Sequence, residues 1–154
     1  MSARQTTSPE AYEAFLRGRE RFYIGTSASH VEAVALFRRA ITLDPQYAAA
    51  HAWLAQMLGS QLALLGRTAT AEEWAERQHL IQRAIDLAPR FADAYAARSI
   101  TEMAAANWAA ARADLEKAVA LAGAAAGDNR SLSAVTAAVA ISAWTANMSP
   151  MSRS

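Results

Sequence analysis

The sequence predicts an all-α chain, a right-handed superhelical stack of about three helical hairpins followed by a C-terminal capping helix, and three observations predict it. First, a phrase recurs. Ala40-Ile41-Thr42-Leu43-Asp44-Pro45 returns as Ala84-Ile85-Asp86-Leu87-Ala88-Pro89 and, weakened, as Ala118-Val119-Ala120-Leu121-Ala122-Gly123, at intervals of 44 and then 34 residues. A period of this size marks a repeat architecture in which each unit buries its apolar face on its neighbours. Second, hydrophobic residues make up 53% of the chain, and about half of them are alanine. Alanine is the best helix former and lets helices approach closely. Third, only six glycines and four prolines punctuate 154 residues, and the β-branched residues never form the alternating runs of a strand.

The elements follow in order. After a disordered segment over 1–8, the first helix begins at Ser8-Pro9-Glu10: serine caps, proline is preorganised for the first turn, and glutamate suits the positive end of the helix dipole. Tyr12, Phe15, Leu16, Arg19, Phe22 and Tyr23 follow at helical spacing until Gly25-Thr26-Ser27 ends the run. Ser29-His30-Val31-Glu32 has the pattern of a capping box and opens a second helix. Its apolar face is Val34, Leu36, Phe37, Ala40, Ile41 and Leu43. Asp44-Pro45 stops it, because a residue before proline is pushed out of the α region.

A third helix runs from about Tyr47 to Leu65, with Gly66 as its C-cap. Thr70-Ala71-Glu72-Glu73 is another capping box, and a fourth helix reaches Leu87 before Ala88-Pro89. The fifth covers roughly Phe91 to Ala106, and Asn107 caps a sixth, Trp108 to Leu121. The units are thus about 9–45, 46–89 and 90–122. A Gly/Ala linker over 123–130, a capping helix over 131–147 and a tail over 148–154 complete the chain.

Composition excludes several functions. Net charge is +1, from 15 basic and 14 acidic residues, so no electrostatic footprint for nucleic acid or acidic membranes is present. Without cysteine there is no disulfide framework, thiolate nucleophile or zinc knuckle. The polar start is no signal peptide, and the most apolar stretch, Ala134 to Met148, is too short to span a bilayer. A cytoplasmic location is expected. His30, His51 and His79 form no metal-binding pair, and Glu72, Glu73 and Glu76 suit a cap and a solvated face better than a catalytic dyad. Gly59 and Gly66 lack the lysine and preceding strand of a phosphate loop. No nucleophile has a base, and neither a cofactor nor a metal is implied. The expected protein is no enzyme.

Over Pro9 to Leu121 the chain resembles the tetratricopeptide repeat (TPR) family. The third unit places Tyr95, Ser99, Trp108, Ala111, Leu115 and Ala118 on the family's large and small packing positions. The second matches at Leu54, Ala55, Leu58, Trp74, Ile81, Ala84 and Pro89, and the first at Gly18, Ala33, Phe37, Ala40 and Pro45. Arg98 stands in place of the usual leucine, Arg77 of the usual alanine and Gly123 of the third proline. About ten extra residues fall in unit two, between Gly59 and Ala71. Ala11–Arg19 with Leu36–Pro45 is also similar to repeat regions of bacterial adenylate-cyclase-like and winged-helix signalling proteins. That similarity raises an alternative: a regulatory or scaffolding segment of a larger protein.

The resemblance implies that the first helix of each hairpin lines a concave face that binds another protein, as a peptide or a helix. Carried over, that face comprises Tyr12, Phe15, Arg19, Phe22 and Tyr23 from unit one. Unit two adds Ala49, Ala52, Gln56 and Ser60, and unit three adds Asp93, Ala96, Ile100 and Met103. A clamp for a C-terminal carboxylate, which some members build from Lys, Arg and Asn, is disfavoured, because these positions hold mainly aromatic, small and apolar residues. The aromatics have two readings: core packing against the second hairpin, or an exposed patch that marks a partner site. Self-association through the exposed repeat ends is a further expectation.

Overall fold

The computed structural model describes residues 5–124; the expected capping helix over 131–147, the tail and the greater part of the linker lie outside the described residues. Six helices follow one another: α1 Pro9–Ile24, α2 Ser27–Leu43, α3 Ala48–Leu64, α4 Ala71–Leu87, α5 Ala92–Ala104 and α6 Trp108–Ala124. They pair as α1–α2, α3–α4 and α5–α6, and the hairpins join through α2–α3, α3–α5 and α4–α5. No strand occurs among the described residues. Segment 5–8, read from the sequence as part of a disordered N-terminus, is tied to the turn between hairpins one and two. The Gln5 side-chain carbonyl accepts from the Ala49 amide at 3.0 Å, and the Thr6 hydroxyl donates to Asp44.

Local chemistry sets the helix ends. Ser8 Oγ accepts from the Ala11 amide at 3.1 Å, so the first cap forms where its residues predict. The second does not. α2 starts at Ser27, and its capping box is Thr26 with Ser29, the Ser29 amide reaching Thr26 Oγ1 (3.1 Å) and the Thr26 amide reaching Ser29 Oγ (2.9 Å). Gly25, at φ 72°, turns the chain within a single residue, and Glu32 instead pairs with Arg21 of α1 at 3.0 Å. Thr70 and Glu73 form the expected box on α4. Arg67 clamps Glu73 from the other side at 2.6 and 2.9 Å, which holds that carboxyl down at about 2. The Asn107 side chain donates to Glu102 at 2.9 Å, so it is engaged backward across the turn. α6 passes through Gly123, because glycine costs a helix only about 1 kcal/mol and lacks proline's clash.

The recurring phrase proves structural in all three copies. Its leading alanines, Ala40, Ala84 and Ala118, are completely buried. In the first two copies the residue before proline leaves the helix in the same way, Asp44 at φ −144° and Ala88 at φ −143°. The prolyl carbonyl freed at each break is bonded by a side chain six residues on: His51 Nε2 bonds Pro45 O at 2.9 Å, and Tyr95 Oη donates to Pro89 O at 2.7 Å. A carbonyl that loses its helical partner at such a break finds another donor here. Two chemically unlike residues therefore do one job at positions 44 apart.

The junctions between hairpins differ. α3 meets α5 through small side chains, with Ala52, Ala84 and Ala94 in one cluster. α1 meets α3 through rings, with Phe15 5.1 Å from Tyr47 and 6.1 Å from Trp53, centroid to centroid. Within unit one, Gly18 lets the Phe37 ring lie where a Cβ would come within 2.7 Å of it. The extra length of unit two divides between α3, with 17 residues against 13 in α5, and the 65–70 connector. Arg98, one of the two unusual arginines, is answered by Asp114 on α6 through paired bonds of 2.7 and 2.8 Å, which raise the pKa of the guanidinium.

Two outcomes follow. Ala40→Leu or Ala118→Leu forces a larger side chain between touching helices and should destabilise by about 1–3 kcal/mol in a urea titration. His51 is the second case. Burial lowers its pKa despite the bond to Pro45, and a proton on Nδ1 would be buried without a partner. The unfolded chain then binds that proton at higher pH, near ~6.5, than the folded chain does, so stability is present above that value and is lost on acidification. The urea midpoint should fall between pH 7 and pH 5, and His51→Gln should show a smaller fall; equal falls would exclude His51 as the source.

Candidate functional site

The face formed by α1, α3 and α5 is organised around Trp53. Alanine dominates the first half of α3, and Trp53 is the one aromatic within that helix. Its indole is only 4% exposed and touches both flanking hairpins. On the α1 side it meets Phe15, Phe22 at 5.5 Å and Tyr23 at 6.5 Å, all near edge-to-face, and on α2 it meets Phe37 at 6.1 Å. On the α5 side its Nε1 donates to Asp93 Oδ2 at 3.0 Å. Edge-to-face pairs add about 0.5–1.5 kcal/mol each beyond the area they bury.

Arg19 lies over this indole, its guanidinium carbon 5.0 Å from the Trp53 centroid and 5.8 Å from that of Phe15. Its Nε is shielded from water and has no hydrogen-bond partner. Two other arginines of these helices take carboxylates, Arg21 from Glu32 and Arg38 from Glu76. Arg19 differs from them in having a ring beneath it. His30 stacks on Phe22 at an interplanar angle of 7°. Among the described residues no three His, Asp or Glu side chains gather as a metal set.

The residues expected on the concave face divide into two groups. Phe15, Ala52, Asp93 and Ala96 are buried, as is Ala49, so they hold the face together from behind. Tyr12, Arg19, Phe22, Gln56, Ser60, Ile100 and Met103 are partly accessible, and Tyr23 is 50% exposed. Burial thus splits the aromatic row: Phe15 is packed in the core, whereas Tyr12 and Phe22 are partly accessible and Tyr23 is half exposed. The structure brings Arg19, Phe22 and Tyr23 together around Trp53; Ser60 follows Gly59, which lines a cavity shared with Ile100. Trp53 itself escaped the sequence reading. The available signal was its isolation, a single large ring in a run of alanines next to Ala52.

Trp53→Phe keeps a ring but deletes the N–H that reaches the buried Asp93 carboxylate. A loss of about 1–3 kcal/mol is expected from weakening such a bond. It would appear as a lower urea midpoint, with Asp93→Asn partly restoring it in the double variant.

No protein-family model matches this chain, and no curated protein matches it in sequence. Solved structures do. The TPR domain of Sgt2 from Aspergillus fumigatus superposes with a TM-score of 0.59 at 13% identity, covering 92% of this chain and 85% of that one. The first TPR of Spaghetti (RPAP3), bound to the HSP90 peptide SRMEEVD, gives 0.58 at 17% identity over 90% and 98%. The second TPR of the same protein, with the same peptide, gives 0.56 at 20% identity over 73% and 93%. With six helices paired in sequence order and the repeated alanines at the helix contacts, the chain has the fold of a tetratricopeptide repeat domain.

Proposed function

We propose that this chain is a non-catalytic protein-interaction module of the cytoplasm, binding a peptide or a partner helix on its α1, α3 and α5 face. The observation that supports it best is Arg19: a cation stacked on Trp53, its Nε without a hydrogen-bond partner among the described residues, beside the half-exposed ring of Tyr23. Aromatic and arginine side chains clustered in this way are what interface hot spots are made of. Two TPR structures of similar fold hold a peptide. Their acidic peptide is not transferred to this chain, because the expected face lacks the Lys and Asn set of a carboxylate clamp. An apolar segment with a hydrogen-bond acceptor for Arg19 suits it better. Tyr12, Arg19, Phe22, Tyr23, Gln56, Ser60, Ile100 and Met103 make up the contact surface, with Phe15, Ala52, Asp93 and Ala96 supporting it. Nucleic acid and membranes are not its partners, and self-association through the repeat ends is secondary.

A random peptide library selected on the purified protein tests this. Tyr23→Ala and Met103→Ala should each weaken the selected peptide by about tenfold or more, in the range of interface hot spots, with helical circular dichroism unchanged in both and melting unchanged in Met103→Ala. Tyr23→Ala also loses its ring contacts with Phe22 and Trp53 and should melt slightly lower. Undiminished binding in both variants would place the partner elsewhere.

A further inference from the structure

Arg77 is the other unusual arginine of the repeat pattern, and unlike Arg98 it has no acid partner among the described residues. It lies on α4, only 4% exposed, where it is held between α3 and α5. Nε donates to the Ala55 carbonyl at 3.3 Å, and Nη2 donates to Thr101 Oγ1 at 3.2 Å. Thr101 hands its own proton to the Ala97 carbonyl, so its oxygen is free to accept. Gly59 makes the space: a Cβ there would stand 2.6 Å from Nη2. All these acceptors are neutral. Glu73 is engaged by Arg67 and the Thr70 amide, and Glu76 by Arg38. Burial pushes the Arg77 pKa down, yet a guanidinium does not give up its proton in a protein. A buried charge without a counter-ion is unfavourable, and supplying an anion relieves it.

The surroundings show where an anion could enter. A cavity of about 620 Å³ opens between the end of α3, the 65–70 connector, the start of α4 and the end of α5, with Arg77 in its lining. This is within the ordinary size of small-molecule sites, about 300–1,000 Å³. Leu62, Trp74, Ile100 and Ala104 make its walls largely apolar. Arg67 lines it too, but is already neutralised by Glu73 at 2.6 Å, and that pair fixes the connector as the outer wall. One uncompensated cation behind apolar walls matches a monoanion with a hydrophobic body; a phosphate dianion would need further donors.

We propose that this cavity is a binding site for a small carboxylate carrying an aryl or alkyl body. The carboxylate meets Arg77 and the body lies against Trp74, Leu62 and Ile100. The site is independent of the peptide-binding face, with which it shares only Ile100, so either can fail without the other.

The test uses the full chain, with 4-phenylbutanoate as the probe and its neutral amide as the control. Nitrogen–proton correlation spectra follow the Trp74 indole N–H, assigned by its absence in Trp74→Phe, and the Arg77 Nε–H. Saturable shifts of both signals are expected with the acid, and at least tenfold weaker binding of the amide. Arg77→Met should remove the preference for the acid, and Gly59→Ala, which displaces the guanidinium but retains its charge, should weaken the acid alone. Equal affinity for acid and amide in the unaltered protein, or no saturation by 20 mM acid, overturns the proposal without recourse to any variant. Tighter binding of a hexapeptide ending in leucine, lost on amidation of its end, would overturn the small-molecule assignment in favour of a chain terminus.

Discussion

The indole of Trp53 is the point on which the described structure turns. It stands on the middle hairpin and is contacted by rings from α1 and α2, by the Arg19 cation, and by the Asp93 carboxylate of α5. A repeat stack has no contacts between distant units, so its stability is a sum over neighbours. A side chain touching both neighbours at once couples the two junctions that the architecture would otherwise leave separate. The polar atom of the indole matters as much as its area, because it answers an acid that would be costly to bury alone.

The rest of the packing accommodates that hub. Rings fill the space between α1 and α3, whereas alanines line much of the contact between α3 and its partners α4 and α5. At each helix break the exposed prolyl carbonyl is covered by a side chain from the following helix, histidine in one unit and tyrosine in the next. The arginines that depart from the repeat pattern each have a compensating neighbour. Asp114 supplies charge for Arg98, and Gly59 supplies volume for Arg77. A substitution that looks like a defect in one helix is half of a pair spread over two.

The proposed binding surfaces lie on the same framework without being part of its packing. The repeated phrase lies on the second helix of each hairpin; all three copies serve burial, and the two that end in proline also stop the helix. The accessible rings and the stacked Arg19 lie on the first helices, where packing leaves side chains partly open. The Arg77 cavity occupies a third location, made by the longer α3 and its connector, the segment in which unit two exceeds its neighbours. Irregularity in the repeat thus created a cavity with a buried cation in its lining.

By itself the sequence determined the architecture. Helical periodicity, proline placement and the buried alanines of a recurring phrase are local or repeated signals, and each survives without knowledge of any distant contact. It also determined most helix ends, because Ser8, Thr70 and Glu73 act on amides within three residues. The α2 cap was missed because Ser29–Glu32 fits the Ser/Thr-x-x-Glu pattern and Thr26–Ser29 does not, yet the chain turns at Gly25, the helix starts at Ser27, and Glu32 pairs with Arg21. Tertiary structure alone decided which face residues are accessible. Phe15 and Phe22 sit two helical turns apart with the same chemistry, and what separates them is whether Tyr47 and Phe37 cover the ring. It alone decided that Trp53 joins Arg19 to Asp93 and that Arg77 is left without an acid. Both are facts about residues 20 to 40 positions apart, and no spacing rule reaches across that distance.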